Sequence, residues 1–360
     1  PGPRLANRKP VGFNGYMDAP GPILINECAT VRSEIGGVER WALEMANRLP
    51  RIDPGRYRVA APPPALAFRA GHVWEQAVLP ARAARARAAL VYCPANLSPL
   101  AWPRCVLSLH DVAVLVHPEF YSRPYVAWQR ALLPRIARRA RLLHTVSEFS
   151  RGEIVQHLGV DPAGVAVVPG GVDDRFTPAA DAGAAAGALG LALPYVLTVA
   201  TPSGRKNLAA LAAPARALAA EGVELVVAGG GRDYLRGAAA GGGVRAVGYV
   251  EEALLPGLYA GARAFVLPSR HEGFGLPCVE AMASGGPVVA ADRGGLPEAC
   301  GDAALLVDPD DPEALTAAVL RATGDEAARV ELRAAGLARA AELTWDRTAG
   351  AIHEILTRAA

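Results

Sequence analysis

The sequence predicts an α/β protein built from two doubly wound domains. Three observations lead there. The chain has 360 residues, and domains commonly hold about 100–200 residues, so two is the expected count. Short apolar runs rich in Val, Leu and Ala alternate with Ala/Leu/Arg stretches of helical period, the alternation expected of parallel sheets crossed by helices. The strand candidates are also too many for one ordinary doubly wound sheet, so two sheets are expected.

Taken in order, residues 1–20 read as a loose arm and residues 21–178 as the first domain. Its strands are Pro22–Cys28, Ala88–Cys93, Cys105–Leu109, Leu142–Val146 and Val165–Val168, with helices at Arg40–Leu49 and Tyr125–Arg139. Asp173–Leu193 is an Ala/Gly/Pro stretch whose centre reads as the inter-domain linker. Residues 190–343 form the second domain, with strands at Tyr195–Val199, Glu224–Ala228, Val244–Val247, Ala264–Leu267, Pro287–Ala290 and Ala304–Val307. Helices are expected at Leu208–Ala220, Cys278–Ala283 and Pro312–Thr323.

Composition excludes several classes. Half the residues are apolar (51%) and 20% are charged, which excludes a wholly disordered chain. No apolar run reaches the roughly 18–20 residues of a membrane-spanning helix. The basic residues of Pro1–Pro10 have no apolar stretch behind them, so no secretory signal is expected. The chain begins without Met and reads as trimmed. Cys28, Cys93, Cys105, Cys278 and Cys300 include no C-x-x-C pair, so reduced thiols and a cytoplasmic setting are expected. Residues 1–178 carry 22 basic against 14 acidic residues, and residues 179–360 carry 15 against 21. Either the composition drifts, or the first half faces something anionic. The overall charge of +2 is too small, and the aromatics too few, to favour nucleic acid.

In open α/β sheets, ligands sit beyond the carboxyl ends of the strands. The segment from Ala264, AFVLPSRHEGFGLPCVEAMAS, is such an end. A strand closes at Pro268, a loop carries Glu272-Gly273-Phe274-Gly275, and a helix opens near Pro277 with Glu280 on its first turn. Glycines let backbone N–H groups approach a ligand, and helix N-termini favour anions. Carboxylates accept hydrogen bonds from sugar hydroxyls. Glu272 and Glu280 could therefore grip two hydroxyl-bearing groups of one extended ligand. For Glu280 the alternative is a first-turn acid favoured by the helix dipole. Arg205-Lys206 follows a strand, and Lys206 is one of only two lysines against 35 arginines, which suggests that a compact ammonium is needed there.

His271–Glu280 (HEGFGLPCVE) resembles the E-x7-E signature of retaining glycosyltransferases of sequence family 4. Matching stretches include Ile35–Arg40 (IGGVER), His110-Asp111, Thr145–Ser150 (TVSEFS), Val168–Asp173 (VPGGVD), Arg205–Leu208 (RKNL) and Gly294–Glu298 (GGLPE). The resemblance runs from about Ile23 to the C-terminus. The stretches Trp74-Glu75-Gln76 and Pro94-Ala95-Asn96 look most like bacterial mannosyltransferases of surface-polysaccharide assembly.

The resemblance implies the GT-B fold, two Rossmann-like domains facing across a cleft, with residues 344–360 packing back on the first domain. It implies that Glu280 binds ribose hydroxyls. Glu272 would bind the donor hexose, helped by N–H groups of Gly273, Phe274 and Gly275. Arg205 and Lys206 would neutralise the diphosphate, Gly36 and Gly37 would approach it from the first domain, and His110 would contact the transferred sugar. Val250 and Leu276 would complete the donor site. The implied reaction moves a hexose from GDP-mannose, or from a UDP-hexose, to a glycan or lipid-linked acceptor, with no metal and no further cofactor. A non-catalytic sugar-nucleotide-binding homologue and an epimerase or phosphorylase are the alternatives. Arg82, Arg85, Arg87, Arg135, Arg138, Arg139 and Arg141 either make peripheral contact with an anionic membrane or are simply solvated helix faces.

The chain departs from the family pattern at Ser203-Gly204, where Glu-Pro is frequent, and at Gly170, Gly286 and Ala200. Two motifs read as decoys. Gly229–Tyr234 (GGGRDY) follows a strand and opens a helix but lacks the third glycine of a dinucleotide fingerprint. Asp308-Pro309-Asp310 looks like a metal-binding D-x-D, yet Asp311-Pro312-Glu313 reads as a helix cap. His117 and His144 read as structural.

Overall fold

The structure is a computed structural model that describes residues 21–31, 35–63, 71–231 and 242–360. The expected loose arm, residues 1–20, lies outside the described residues. The first sheet holds β1 (Ile23–Asn26), β2 (Tyr57–Ala60), β3 (Leu90–Cys93), β4 (Cys105–Ser108), β5 (Leu142–Thr145) and β6 (Val165–Val167). The second holds β7 (Tyr195–Val199), β8 (Glu224–Ala228), β9 (Val244–Gly248), β10 (Ala262–Leu267), β11 (Val288–Ala291) and β12 (Ala304–Val307). The orders are β2-β1-β3-β4-β5-β6 and β12-β11-β10-β7-β8-β9, and the pairings are parallel. In the second sheet the winding direction reverses between β7 and β10. That switch leaves a crevice at their carboxyl ends, where Arg205-Lys206 and Glu272 follow.

β2 is a strand that the apolar runs do not reveal. Its sequence is Tyr-Arg-Val-Ala, and Arg58 and Val59 are exposed. It is the outermost strand, so it needs no continuous apolar run. A second difference concerns the linker. The centre of Asp173–Leu193 is a helix, Ala182–Leu189, capped by the Asp181 carboxylate on Ala184 N at 2.8 Å and closed by Gly190 at φ 62°. Alanine is the best helix former, so an Ala-rich stretch without a strong apolar pattern still folds. This helix packs on Leu255–Ala260 of the second domain. Gly257 permits the contact, since a Cβ there would stand 2.3 Å from Asp181 O. The second domain therefore begins before residue 190.

The chain passes between the domains twice, side by side. Val172 pairs in parallel with Thr344, and Val172 N donates to Leu343 O at 2.8 Å. The Thr344 hydroxyl caps the last helix, Trp345–Ala359, which lies against Gly37–Ile52 of the first domain. Trp345 is buried and meets Trp41 edge-on at 5.6 Å, and Tyr57 Oη meets His353 Nδ1 at 2.7 Å.

Beneath Trp41 runs a directional hydrogen-bond chain. Burial pulls His144 down to about 3, so its ring is neutral. With Nε2–H donating to Val168 O, Nδ1 accepts from Ser108. Ser108 then accepts from Tyr92, and Tyr92 accepts from Trp41 Nε1. Every polar atom in this core path is satisfied, which fixes the face of the helix that carries Gly37 and Arg40.

Trp345→Ala should lower stability by about 3–5 kcal/mol through the cavity left between the last helix and Trp41. Urea unfolding followed by tryptophan-independent circular dichroism checks it. Trp345→Phe should cost less, because Trp345 Nε1 has no hydrogen-bond partner among the described residues.

Candidate active site

A cleft of about 250 Å³ separates the two sheets, and every residue nominated from the sequence lines it. From the second domain come Arg205, Lys206, Val250, Glu272, Gly273, Phe274, Gly275, Leu276 and Glu280. From the first come Gly36, Gly37 and His110.

The donor-side loop follows β10. Gly275 adopts φ 119°, and a Cβ there would stand 2.5 Å from Leu296, so the turn into helix Leu276–Ala283 requires glycine. The amides of Gly273, Phe274 and Gly275 find no acceptor among the described residues. The helix opens at Leu276 and has no acid in its first turn. Glu280 thus sits on the second turn, one turn later than the sequence suggests, which removes the dipole explanation for it.

Glu272 is 6% exposed. Its Oε1 accepts from Lys206 Nζ and, at 2.7 Å, from Ser269 Oγ; its Oε2 accepts from Arg205 Nη1 at 3.0 Å. Burial pushes this carboxyl up, but Lys206 and Arg205 together overcome it and hold it at about 2. Burial also pulls Lys206 down, with Glu272 opposing, while Glu272 keeps Arg205 above its ordinary value. Both cations sit on the turn Gly204–Lys206 after β7. Asn207 ends that turn at φ 53°, and its amide donates to Pro309 O at 2.9 Å.

Glu280 is 5% exposed. Its Oε2 accepts from Tyr259 Oη at 2.8 Å, and its Oε1 lies 3.5 Å from Arg40 Nε. Burial raises it, and Arg40 opposes most strongly.

On the first-domain wall, His110 N donates to Asn96 Oδ1 at 2.8 Å and the ring Nε2 meets Pro94 O at 2.9 Å. Burial lowers its pKa, so the ring is neutral. The carbonyl requires the proton on Nε2, which leaves Nδ1 as an acceptor. The walls approach closely: a Cβ on Gly273 would stand 2.6 Å from His110 O.

Further residues join the domains, and the sequence analysis gave them no role. Ser147 Oγ donates to Gly273 O at 2.6 Å, and Ser150 Oγ does so at 3.2 Å. The Glu298 carboxylate accepts from Glu148 N and Phe149 N, both at 2.7 Å, at the start of helix Glu148–Leu158. His271 Nε2 meets Glu153 at 2.9 Å. The signal for them, Glu153 excepted, lay in the quoted stretches TVSEFS, HEGFG and GGLPE, whose matches carried no individual assignment.

Two departures from the family pattern have neighbours that explain them. A Cβ at Gly170 would stand 2.7 Å from Leu276, which fills that space. A Cβ at Gly204 would stand 2.3 Å from the Phe120 ring. Nothing in the structure explains Gly286. Asp308 pairs with Arg293, Asp310 with Arg270, and Asp311 caps helix Pro312–Gly324 through Glu313 N and Ala314 N. Gly229 and Gly230 line the cleft after β8, while the segment from Arg232 to residue 241 lies outside the described residues.

Two family models match this chain. Glycosyltransferase Family 4 matches residues 35–176, and Glycosyl transferases group 1 matches residues 194–325. Over 257 residues the chain is 34% identical to an O-antigen chain mannosyltransferase B of Escherichia coli, covering 68% of this chain and 67% of that protein. Among solved structures it is similar to a sucrose-phosphate synthase of Thermosynechococcus elongatus, with a TM-score of 0.71 at 20% identity. That match covers 94% of this chain and all of that one. It is also similar to Anabaena HepE in complex with UDP and glucose, with a TM-score of 0.69 at 21% identity over 94% of this chain and 99% of that one. The two parallel six-stranded sheets are those of the GT-B fold, and the chain belongs to the family 4 glycosyltransferases.

Proposed function

We propose that the chain transfers a mannosyl residue from GDP-mannose, with retained configuration, to a glycan or lipid-linked acceptor. The observation that carries this reading is the arrangement of Glu272, Arg205, Lys206 and Glu280 along one cleft, with His110 opposite. Glu272 pairs with both cations. A donor diphosphate carries more charge and takes them over, and Glu272 then turns its oxygens to the hexose hydroxyls. The leaving diphosphate develops charge against Arg205 and Lys206, which are already oriented in a buried site. Closure of the walls around Gly273 excludes water and limits hydrolysis. The choice of mannose is supported by the likeness to the Escherichia coli mannosyltransferase. A UDP-hexose is the competing donor, and no metal is assigned.

No helix among the described residues is long and apolar enough to cross a membrane. We assign the protein to the cytoplasm, held peripherally on anionic lipid. The support is a basic end of the first domain. Exposed Arg87, Arg104 and Arg141 lie just before β3, β4 and β5, and exposed Arg82, Arg85, Arg135, Arg138 and Arg139 lie on the helices Leu79–Arg85 and Arg123–Arg139 that lead there. This end is opposite the cleft, so an anchored molecule turns its active site away from the lipid surface.

Three outcomes are expected. Transfer from GDP-mannose, measured as GDP release that depends on acceptor, persists in excess EDTA; loss restored by Mg²⁺ or Mn²⁺, or turnover of UDP-hexoses alone, overturns the assignment. Glu280→Gln weakens free GDP binding, because ribose is held alike in substrate and product. Glu272→Gln mainly lowers turnover, because the hexose gains positive charge in the transition state. Each effect is about ten- to a hundredfold, the worth of one charge-assisted hydrogen bond. Equal weakening of free GDP by both variants contradicts the division of roles. Finally, the protein co-sediments with anionic vesicles at low salt and is released by high salt, since surface attraction is worth about 1 kcal/mol per basic residue. Binding indifferent to salt counts against the anchor.

A further inference from the structure

Arg40 stands on the first-domain helix Gly37–Ile52, yet its guanidinium ends among second-domain side chains. It is 7% exposed and lines the cleft. Its Nη2 donates to Glu252 Oε1 at 2.7 Å, and its Nε faces Glu280 Oε1 at 3.5 Å. Glu252 is fixed in turn by Arg175, on the segment that crosses between the domains. Arg175 Nη2 meets Glu252 Oε2 at 2.5 Å, and Nη1 donates to Glu252 O at 2.9 Å. The Phe176 ring lies near both guanidiniums, 5.7 Å from Arg40 and 5.1 Å from Arg175, and edge-on to Tyr259 at 5.6 Å. Tyr259 closes the circuit by donating to Glu280 Oε2 at 2.8 Å.

The two oxygens of Glu280 are therefore not equivalent. Oε2 is taken by a phenol. Oε1 faces a cation at a distance too long for a full hydrogen bond, so its lone pairs stay available to hydroxyl donors. We propose that Arg40 is a positioning residue for nucleotide capture: from the first domain it pairs and aims the Glu280 carboxylate that takes the ribose hydroxyls in the second, which ties nucleotide affinity to domain closure. This rests on the reading of Glu280 as the ribose ligand.

The electrostatics agree with the geometry. The charged and titratable groups facing Glu280 are Arg40 from the first domain, Tyr259 from helix Leu255–Ala260, Glu252 just before that helix, and Arg175 from the crossover. Burial and Glu252 favour the protonated acid. Arg40 is the strongest opposing influence. Burial also works against the charge on Arg40, and Glu280 and Glu252 more than offset it. Without Arg40, or with the domains apart, Glu280 is a buried carboxyl without its main cation, and it protonates at a higher pH. Nucleotide affinity then falls as pH falls and returns as pH rises.

The test is calorimetric titration of GDP, and in parallel UDP, into the full chain between pH 6 and pH 9. The variants are Arg40→Met, Arg40→Lys, Glu280→Gln and the Arg40→Met/Glu280→Gln pair. Arg40→Met is expected to weaken nucleotide about tenfold at pH 6 and to approach wild type by pH 9. Arg40→Lys, which keeps the charge, stays nearer wild type throughout. In the double variant, loss of Arg40 adds no further pH dependence to Glu280→Gln. Small-angle scattering should show nucleotide compacting the wild type more than Arg40→Met. A weakening by the same factor at every pH means a merely structural role and overturns the inference. Nucleotide binding by Glu280→Gln as tight as wild type sinks the ribose reading and this inference with it. Weakened Glu280→Gln beside unaltered Arg40→Met sinks this inference alone.

Discussion

Glu272 is a carboxylate kept charged where water scarcely reaches, and much of the cleft is arranged around that fact. A buried carboxyl without partners would protonate. Here Lys206, Arg205 and Ser269 hold it ionised, and it in turn keeps two neighbouring cations from repelling each other in a buried turn. Removal of Glu272 would leave Arg205 and Lys206 as uncompensated buried charges, the costly way to break such a cluster. The backbone accordingly holds them tightly. The left-handed Asn207 ends the cationic turn, the glycine at 275 ends the acidic loop, and Arg270 N donates to Arg205 O at 2.8 Å to tie the two together.

The second constraint is how closely the two domains approach. Gly273 meets the backbone of His110, Gly170 meets Leu276, and Gly204 meets Phe120, all at distances where a Cβ would collide. Polar ties flank these contacts on both sides. Ser147, Ser150 and Glu298 join the domains at the start of helix Glu148–Leu158, while Arg40 and Ile35 reach Glu252 and Tyr249 on the other side. None of these ties is an extensive apolar interface. They are few, polar and directional, which suits surfaces that meet and separate around a substrate.

The two glutamates show how similar groups come to differ. Both are buried and both have cations for partners. Glu272 has two cations in contact and is pulled to about 2. Glu280 has a phenol and one cation at 3.5 Å and is left above its ordinary value. The first is a strong anion whose partners a diphosphate can take over. The second is a weaker acid whose charge depends on a residue of the other domain.

Most of the fold was legible in the sequence, because parallel strands buried on both faces must be written as continuous apolar runs. β2, at the edge, escaped because only part of it is buried, and helix Ala182–Leu189 passed for a linker because alanine and glycine carry no amphipathic pattern. The site residues were legible where a residue type is chemically unusual for its place: two carboxylates and two glycines after a strand, or a lysine in an arginine-rich chain. By itself the sequence determined the two sheets, the family and the twelve nominated residues of the cleft. Only the tertiary structure decided that Glu280 lies on a second turn, that Glu272 pairs with both Arg205 and Lys206, and that Arg40 reaches Glu280 across the domains. The last two are contacts between residues 66 to 240 positions apart. Which charges meet at such a separation depends on how the sheets twist and how closely the domains pack, and no local pattern records either.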